Sequence, residues 1–179
     1  SDDYGALLPY LGAYYDAGGD GGPVGKYGLV TESGTIVLDP VLTDVGLACY
    51  GTASGDVLLN IYIMARYVEN EDGSGGTKYA VAGEDGSWAT GFDYTQVVAM
   101  EPGVLCVRDG EANDAVCYAE DGSVVFDTTD FSELWRLEPD SITSLAYCSE
   151  GYMRICYSNG QYGFIDTDGD ILNRYVDRP

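Results

Sequence analysis

Histidine is absent from this 179-residue chain. That omission excludes Ser-His-Asp and Cys-His catalysis and removes the ligand that nearly all catalytic zinc sites use. A cysteine nucleophile would lack its usual base. Lysine is almost as scarce, with Lys26 and Lys78 alone. Eight Lys and Arg stand against 30 Asp and Glu, for a formal net charge of −22. A surface so acidic repels phosphate backbones and anionic headgroups, so no nucleic acid is expected as a partner. Mimicry of DNA is one conceivable use of the charge, and solubility is the ordinary one. Long apolar runs are missing too. The best stretch, Val57 to Ala65, has nine residues with Asn60 inside it, against the ~20 that a transmembrane helix needs. No membrane insertion is expected. No signal-peptide pattern opens these residues, which read as a mature or excised fragment.

Cys-x-x-Cys never occurs among the five cysteines, which argues against zinc and redox motifs. The number is odd, so at least one of Cys49, Cys106, Cys117, Cys148 and Cys156 is unpaired within the chain. Cys106 with Cys117 and Cys148 with Cys156 are the two pairs that a hairpin would bring face to face. The alternative is that each is a small apolar core residue.

What is present is glycine, tyrosine and a repeat. Hydrophobic residues make up 45%, with 25 Gly and 16 Tyr, a mixture that suits short strands and tight turns. A chain of this length buries roughly 70% of its unfolded surface. Four segments share one pattern: hairpins near 26–40, 78–92, 114–128 and 161–175. Their turns carry Ser33-Gly34, Asp85-Gly86, Asp121-Gly122 and Asp168-Gly169, with glycines 52, 36 and 47 residues apart. The irregular period implies a constant hairpin with variable connections.

Asp-Gly between apolar flanks predicts a two-residue type I′ turn. That turn fixes the register. It sets Val30 opposite Val37, Ala82 opposite Ala89, Tyr118 opposite Val125 and Ile165 opposite Leu172. The neighbouring face carries Tyr27, Leu29, Ile36 and Leu38 in the first copy and Tyr162, Phe164 and Ile171 in the last. With both faces apolar, the hairpins should be sandwiched between neighbours. Further strands are expected over 46–51, 57–68, 103–108, 145–149 and 152–158. Asp130 to Glu133 has capping-box spacing, which predicts one helical turn before Leu134. The segment 4–16 reads as the remnant of an earlier repeat, and Pro9 argues against a helix there. Residues 16–23 read as a loop.

The pattern aromatic-Gly, two apolar residues, a polar Gly turn, an apolar strand and Pro resembles the WG (KWG) repeat of bacterial proteins. It reads Lys26-Tyr27-Gly28-Leu29-Val30, Gly34, Ile36-Val37-Leu38, Pro40, and again Tyr162-Gly163-Phe164-Ile165, Gly169, Ile171-Leu172. Tyr stands for the usual Trp in both. The copies at Tyr79-Ala80 and Ala115-Val116 are degenerate. The resemblance implies a β-rich tandem array, often part of cell-surface proteins, and brings no catalytic residues. Its aromatic-Gly pair reads as a ring in the core beside a glycine that admits a neighbouring strand.

Few groups remain that carry chemistry. Gly18 to Gly22 is acidic and has no Lys-Ser/Thr, so it is not a phosphate loop. With 30 acids, no single carboxylate pair stands out for glycoside hydrolysis. Asp166, Asp168 and Asp170 place three carboxylates at alternating positions around a turn, and oxygen ligands suit Ca²⁺. Against that, the EF-hand glycine position and distal Glu are missing, so a turn with solvated acids is the other reading. Asp166 falls where the other copies carry Thr31, Gly83 and Ala119. There it needs a partner such as a Tyr hydroxyl, or else it marks an exposed polar cap. Tyr10, Tyr14 and Tyr15 are candidates for recognition.

The chain therefore reads as all-β: tandem antiparallel hairpins stacked as an open curved array, with a small β-propeller as the alternative. Residues 1–179 read as a single β-repeat domain. The expected role is a non-enzymatic surface or interaction module that binds protein or glycan without a cofactor. A spacer within a larger surface protein and a carboxylate-based hydrolase are the alternatives. An extracellular or cell-surface location fits acidic stalk-like repeats.

Overall fold

The computed structural model describes residues 6–15, 24–108, 114–130, 142–149, 152–157, 160–166 and 170–176. The fold is all-β, with antiparallel sheets built from hairpins and no closed barrel among the described residues. The one other element among them is a 3-10 turn, Thr128–Asp130. No helix of the described residues is long and apolar enough to cross a membrane. The chain divides into two compact units: the described part of Ser1–Thr95 with Glu120–Gly122, and the described part of Gln96–Ala119 with Ser123–Pro179.

The first unit opens with a three-stranded sheet of β1 (Leu7–Tyr15), β2 (Val24–Thr31) and β3 (Ile36–Leu42), in that order. The expected N-terminal remnant is thus a strand. Pro9 is tolerated because β1 is an edge, where a missing N–H breaks no ladder. Next come β4 (Asp44–Thr52), β5 (Gly55–Glu69) and β6 (Gly75–Gly83), paired in sequence order. Strand β7 (Tyr94–Met100) starts here, with Tyr94 opposite Tyr79. The core is Leu7, Leu29, Leu42, Tyr62, Met64, Ala80 and Ala82. Tyr27 packs at its rim.

In the second unit β7 continues and is followed by β8 (Gly103–Arg108), β9 (Ala115–Ala119) and β10 (Val124–Asp127), again in sequence order. A separate sheet holds β11 (Ile142–Ser149), β12 (Tyr152–Tyr157), β13 (Tyr162–Asp166) and β14 (Ile171–Val176). Leu105, Val107, Ala115, Cys117, Phe126, Met153 and Ile165 form the core. The helical turn expected after Asp130, the loop expected over 16–23 and the turn Asp168-Gly169 lie outside the described residues.

The hairpins stand where the sequence places them, but three have a different turn. Thr31 N–H donates to Thr35 O and Gly34 N–H to Thr31 O, which makes the loop Glu32-Ser33-Gly34 three residues long. Ala119 N–H to Ser123 O and Asp166 N–H to Asp170 O repeat this closure. The registers move accordingly. Val30 faces Ile36, Tyr118 faces Val124 and Ile165 faces Ile171, not Val37, Val125 and Leu172. Those three expected partners fall in one-residue bulges, beyond which Leu29–Leu38, Cys117–Phe126 and Phe164–Asn173 are opposed.

The physical reason is the cost of a left-handed backbone, roughly 1–2 kcal/mol for a residue with a Cβ. A type I′ turn asks this of two residues. The longer loop asks it only of glycine, and Gly34 and Gly122 sit at φ 89° and 81°. The second hairpin does keep Ala82 opposite Ala89. It does so through a four-residue loop, with Gly83 N–H on Trp88 O and Gly86 N–H on Gly83 O.

A fifth loop of the same kind joins β5 to β6. Asn70 N–H donates to Ser74 O across Glu71-Asp72-Gly73, and Gly73 has φ 79°.

Burial on both faces holds for β8 and β9 and fails for β3, whose Ile36 and Val37 are 58% and 50% exposed. Strand β3 is an edge of its sheet. Glycine's role as a gap for close approach holds at Gly28, where a Cβ would meet the Leu38 carbonyl and stand 2.7 Å from Tyr10 Cζ. It is strictest at Gly103, where a Cβ would collide with the Tyr118 carbonyl.

Gly34→Ala adds a methyl into open space at positive φ and is expected to lose about 1 kcal/mol. Gly103→Ala forces the β8–β9 backbones apart and is expected to lose about 3 kcal/mol or more. Urea unfolding of both variants checks the order.

Candidate interaction site

The loops of the first unit dock on one another through backbone groups that have no strand partner. Glu84 N–H donates to Asn60 O at 2.9 Å, and the Asn60 N–H donates to Glu120 Oε1 at 2.7 Å. Trp88 Nε1 donates to Glu120 O at 2.9 Å. The Trp88 ring lies on Gly122, where a Cβ would stand 2.5 Å from Cγ. A side chain at residue 122 would therefore evict the ring.

Leu7 does the same for the preceding loop. Its N–H donates to Glu84 O at 2.7 Å, and a Cβ on Gly86 would lie 3.4 Å from its side chain. Tyr62 Oη, buried, donates to Leu7 O at 2.8 Å. Burial and the nearby Glu84 carboxylate push the Tyr62 phenol above its ordinary pKa, so it stays a donor.

The two junctions differ in what fills them. Trp88 is the second residue after Gly86, and Ile36 is the second residue after Gly34. At the junction with Gly122, the first position carries an indole. At the junction with Gly86, it carries Ile36, and a cleft of about 310 Å³ lies between Leu7, Thr35, Ile36, Val37 and Gly86. The loops at its ends carry Glu32, Glu84 and Asp85.

The sheet beside it is apolar on its open side. Leu8, Val30 and Ile36 form one cross-strand row over β1, β2 and β3. Leu8 and Ile36 are exposed and Val30 is half-buried. Tyr14 is 66% exposed. Tyr10 is half-buried and spends its hydroxyl on a long bond to Leu38 O, 3.4 Å. The Tyr15 side chain lies outside the described residues. Of the two candidate tyrosines whose side chains are described, Tyr14 presents a ring, opposite Gly25 and on the face away from Leu8.

The Asp166 anomaly has a local cause. Asp170 N–H donates to Asp166 Oδ1 at 2.8 Å, as Thr35 N–H donates to Thr31 Oγ1 at 3.0 Å. One partner is the loop backbone. Asp168 lies outside the described residues. Asp72 and Asp85 serve their loops in the same way, taking Ser74 N–H and Ser87 N–H at 2.9 Å each. Hydrogen bonds from Ser74 and Ser87 hold both carboxyls below their ordinary pKa.

Among its described residues the second unit has one ion cluster, which sequence reasoning missed. Arg108 grips Asp127 with two bonds, 3.0 and 2.6 Å, and reaches Asp114 at 2.9 Å. Burial alone would raise the Asp127 carboxyl, but bonds from Arg108 and Thr129 outweigh it and hold it below the ordinary range. The same carboxylates push the Arg108 pKa up. The cluster ties the end of β8 to the start of β9 and the end of β10.

Neither cysteine pair is set up for a disulfide. Cys106 faces Val116 and Cys117 faces Leu105, so the two point to opposite faces of the sheet. Cys156 lies opposite Ser144, four residues along β11 from Cys148. That is ~13 Å of strand, beyond the reach of an S–S bond. Cys49, Cys106 and Cys117 are free. Burial pushes the Cys106 and Cys117 thiols up to about 12.

Set against protein-family models, curated proteins and solved structures, the chain gives no match.

A thiol reagent such as DTNB at neutral pH is expected to modify exposed Cys49 in the native protein and to reach Cys106 and Cys117 only on unfolding. Asp127 contributes stability that is full above its unfolded pKa of ~4 and lost as pH falls through its lower folded value. Asp127→Asn should cost about 1–3 kcal/mol at neutral pH and flatten the fall in stability below about pH 4. Urea melts across pH 2–7 would show the flattened acid limb.

Proposed function

We propose that the chain is a non-enzymatic interaction module that offers its first sheet to a protein partner. The observation that carries this is the open apolar row Leu8–Val30–Ile36 in a chain of net charge −22. Exposed aliphatic anchors within a charged surround are what a recognition patch needs. The acidic field favours a basic partner and speeds its encounter. The lack of histidine and the WG-repeat resemblance support the same reading, since neither supplies catalytic groups. Placement at the cell surface belongs to the proposal, because acidic repeat modules suit a stalk there.

The test is a binding panel of basic and acidic proteins and of glycans against the immobilised chain. A basic protein is expected to bind in the micromolar range (~10⁻⁶–10⁻⁴ M), and Leu8→Asp should weaken it by about tenfold or more. Glycan binding in its place, or a partner indifferent to that substitution, would reject the proposed surface.

A further inference from the structure

We propose that the cleft between Leu7, Ile36 and Gly86 is a receptor for an aromatic side chain carried on a basic peptide segment. This deepens the reading above, resting on the chain being an interaction module, and gives it a second contact that shares Ile36 with the first.

The fold supplies its own precedent. Two successive junctions in the first unit are built alike. Each brings the residue that follows a loop glycine by two positions to the glycine of another hairpin loop, Trp88 onto Gly122 and Ile36 to the cleft that Gly86 lines. At the second junction that residue is Trp88. Its ring covers Gly122, and its Nε1 is 2.9 Å from Glu120 O. At the first junction the equivalent residue is Ile36, the glycine is Gly86, and about 310 Å³ remains between them. The fold therefore shows how an indole is held at one junction, while at the other Leu7 covers the glycine and the open space is the cleft bounded by Leu7, Thr35, Ile36, Val37 and Gly86. A volume of this size lies at the lower end of small-ligand sites and admits one ring.

The lining sets what the ring can be. Leu7, Ile36 and Val37 offer aliphatic surface on which a ring can pack, and Gly86, covered by Leu7, lines the cleft without a side chain of its own. The Thr35 hydroxyl is the polar group at the edge. Glu84 O, the counterpart of the Glu120 carbonyl, already accepts Leu7 N–H at 2.7 Å. One lone pair is left, so ring burial rather than that hydrogen bond provides the affinity.

Charge selects the flanks. The loop before Thr35 carries Glu32, and the loop that holds Gly86 carries Glu84 and Asp85. The nearest basic residue in sequence to either loop is five positions away, Lys26 before Thr31 and Lys78 before Gly83. A ligand with Lys or Arg on both sides of its ring meets complementary charge. An acidic or neutral one does not.

The probe is the capped tripeptide Lys-Trp-Lys, titrated into the full chain and followed by methyl NMR of Leu7, Ile36 and Val37. Shifts are expected at these methyls. Binding should be weakened about tenfold or more in Lys-Ala-Lys and in Glu-Trp-Glu, and should fall as salt rises from about 20 to about 300 mM.

Ile36→Trp supplies the ring from within. It is expected to abolish the tripeptide shifts while the melting temperature holds or rises, the position being 58% exposed. Should that variant not fold, Val37→Lys, at a half-exposed position, places a cation on the rim and is expected to repel the probe by the same measure. Binding that ignores the indole, shifts outside the cleft, indifference to Ile36→Trp, or no shift at millimolar peptide would each overturn the proposal. So would a neutral trisaccharide that moves the same methyls at lower concentration. The tripeptide failing while a basic protein still binds through Leu8 removes the cleft and leaves the interaction module standing. Loss of that protein partner with tripeptide binding intact does the reverse.

Discussion

A left-handed glycine at the end of a short acidic loop is the constraint on which the hairpins depend. Gly34, Gly73, Gly86 and Gly122 all have positive φ. Once glycine takes that conformation, the two residues before it can stay right-handed and carry any side chain. The loop then leaves inward-facing N–H groups that no strand satisfies. Thr31, Asp72, Asp85 and Asp166 each give an oxygen to one of them. Part of the acidic composition is therefore turn chemistry. Those carboxylates are fixed acceptors for the backbone, and solubility is a by-product of where they stand.

The hairpins were legible because Asp-Gly and Ser-Gly sit between apolar flanks, and strands 46–51, 57–68 and 103–108 follow from their β-branched and aromatic runs. The turn type was not legible from the dipeptide. Glu32-Ser33-Gly34 and Ser33-Gly34 are the same letters with two possible boundaries, and the choice depends on the φ of Ser33. The resulting slip moved Val37, Val125 and Leu172 out of their pairs and into bulges. The loop Asn70–Ser74 does not read as a repeat because polar Gly75-Gly76-Thr77 follows it where the others have an apolar strand. Its Glu-Asp-Gly-Ser, shared with 84–87 and 120–123, was the available signal. Cysteine spacing failed for a related reason: spacing does not reveal register, and register decides which face a thiol takes.

The junctions were further from reach. Trp88 meets Glu120 over 32 residues, and Asn60 meets it over 60. With unequal connections between copies, no period links these positions. Trp88 reads in sequence as one more strand aromatic, and Leu7 as part of an N-terminal remnant. Only their partners give them a role: both cap a loop carbonyl and cover the glycine two residues beyond it. Tyrosine content was a better guide to strands than to recognition, since Tyr10, Tyr27 and Tyr62 are committed to packing or hydrogen bonds while Tyr14 is open.

The separation between local strand pairs and distant loop caps has a kinetic consequence. Neighbouring strands such as β4–β5, β5–β6 and β8–β9 pair through short connections, so their closure is fast and largely independent of the rest of the chain. The contacts of Leu7 with Glu84 and of Asn60 and Trp88 with Glu120 form between hairpins that already exist. Lengthening a linker between hairpins then touches only the late step, and each doubling adds about 0.6 kcal/mol of closure entropy. A chain built this way can accept insertions between its units over evolutionary time without losing the hairpins themselves. The unequal spacing of its turn glycines is compatible with connections of any of these lengths.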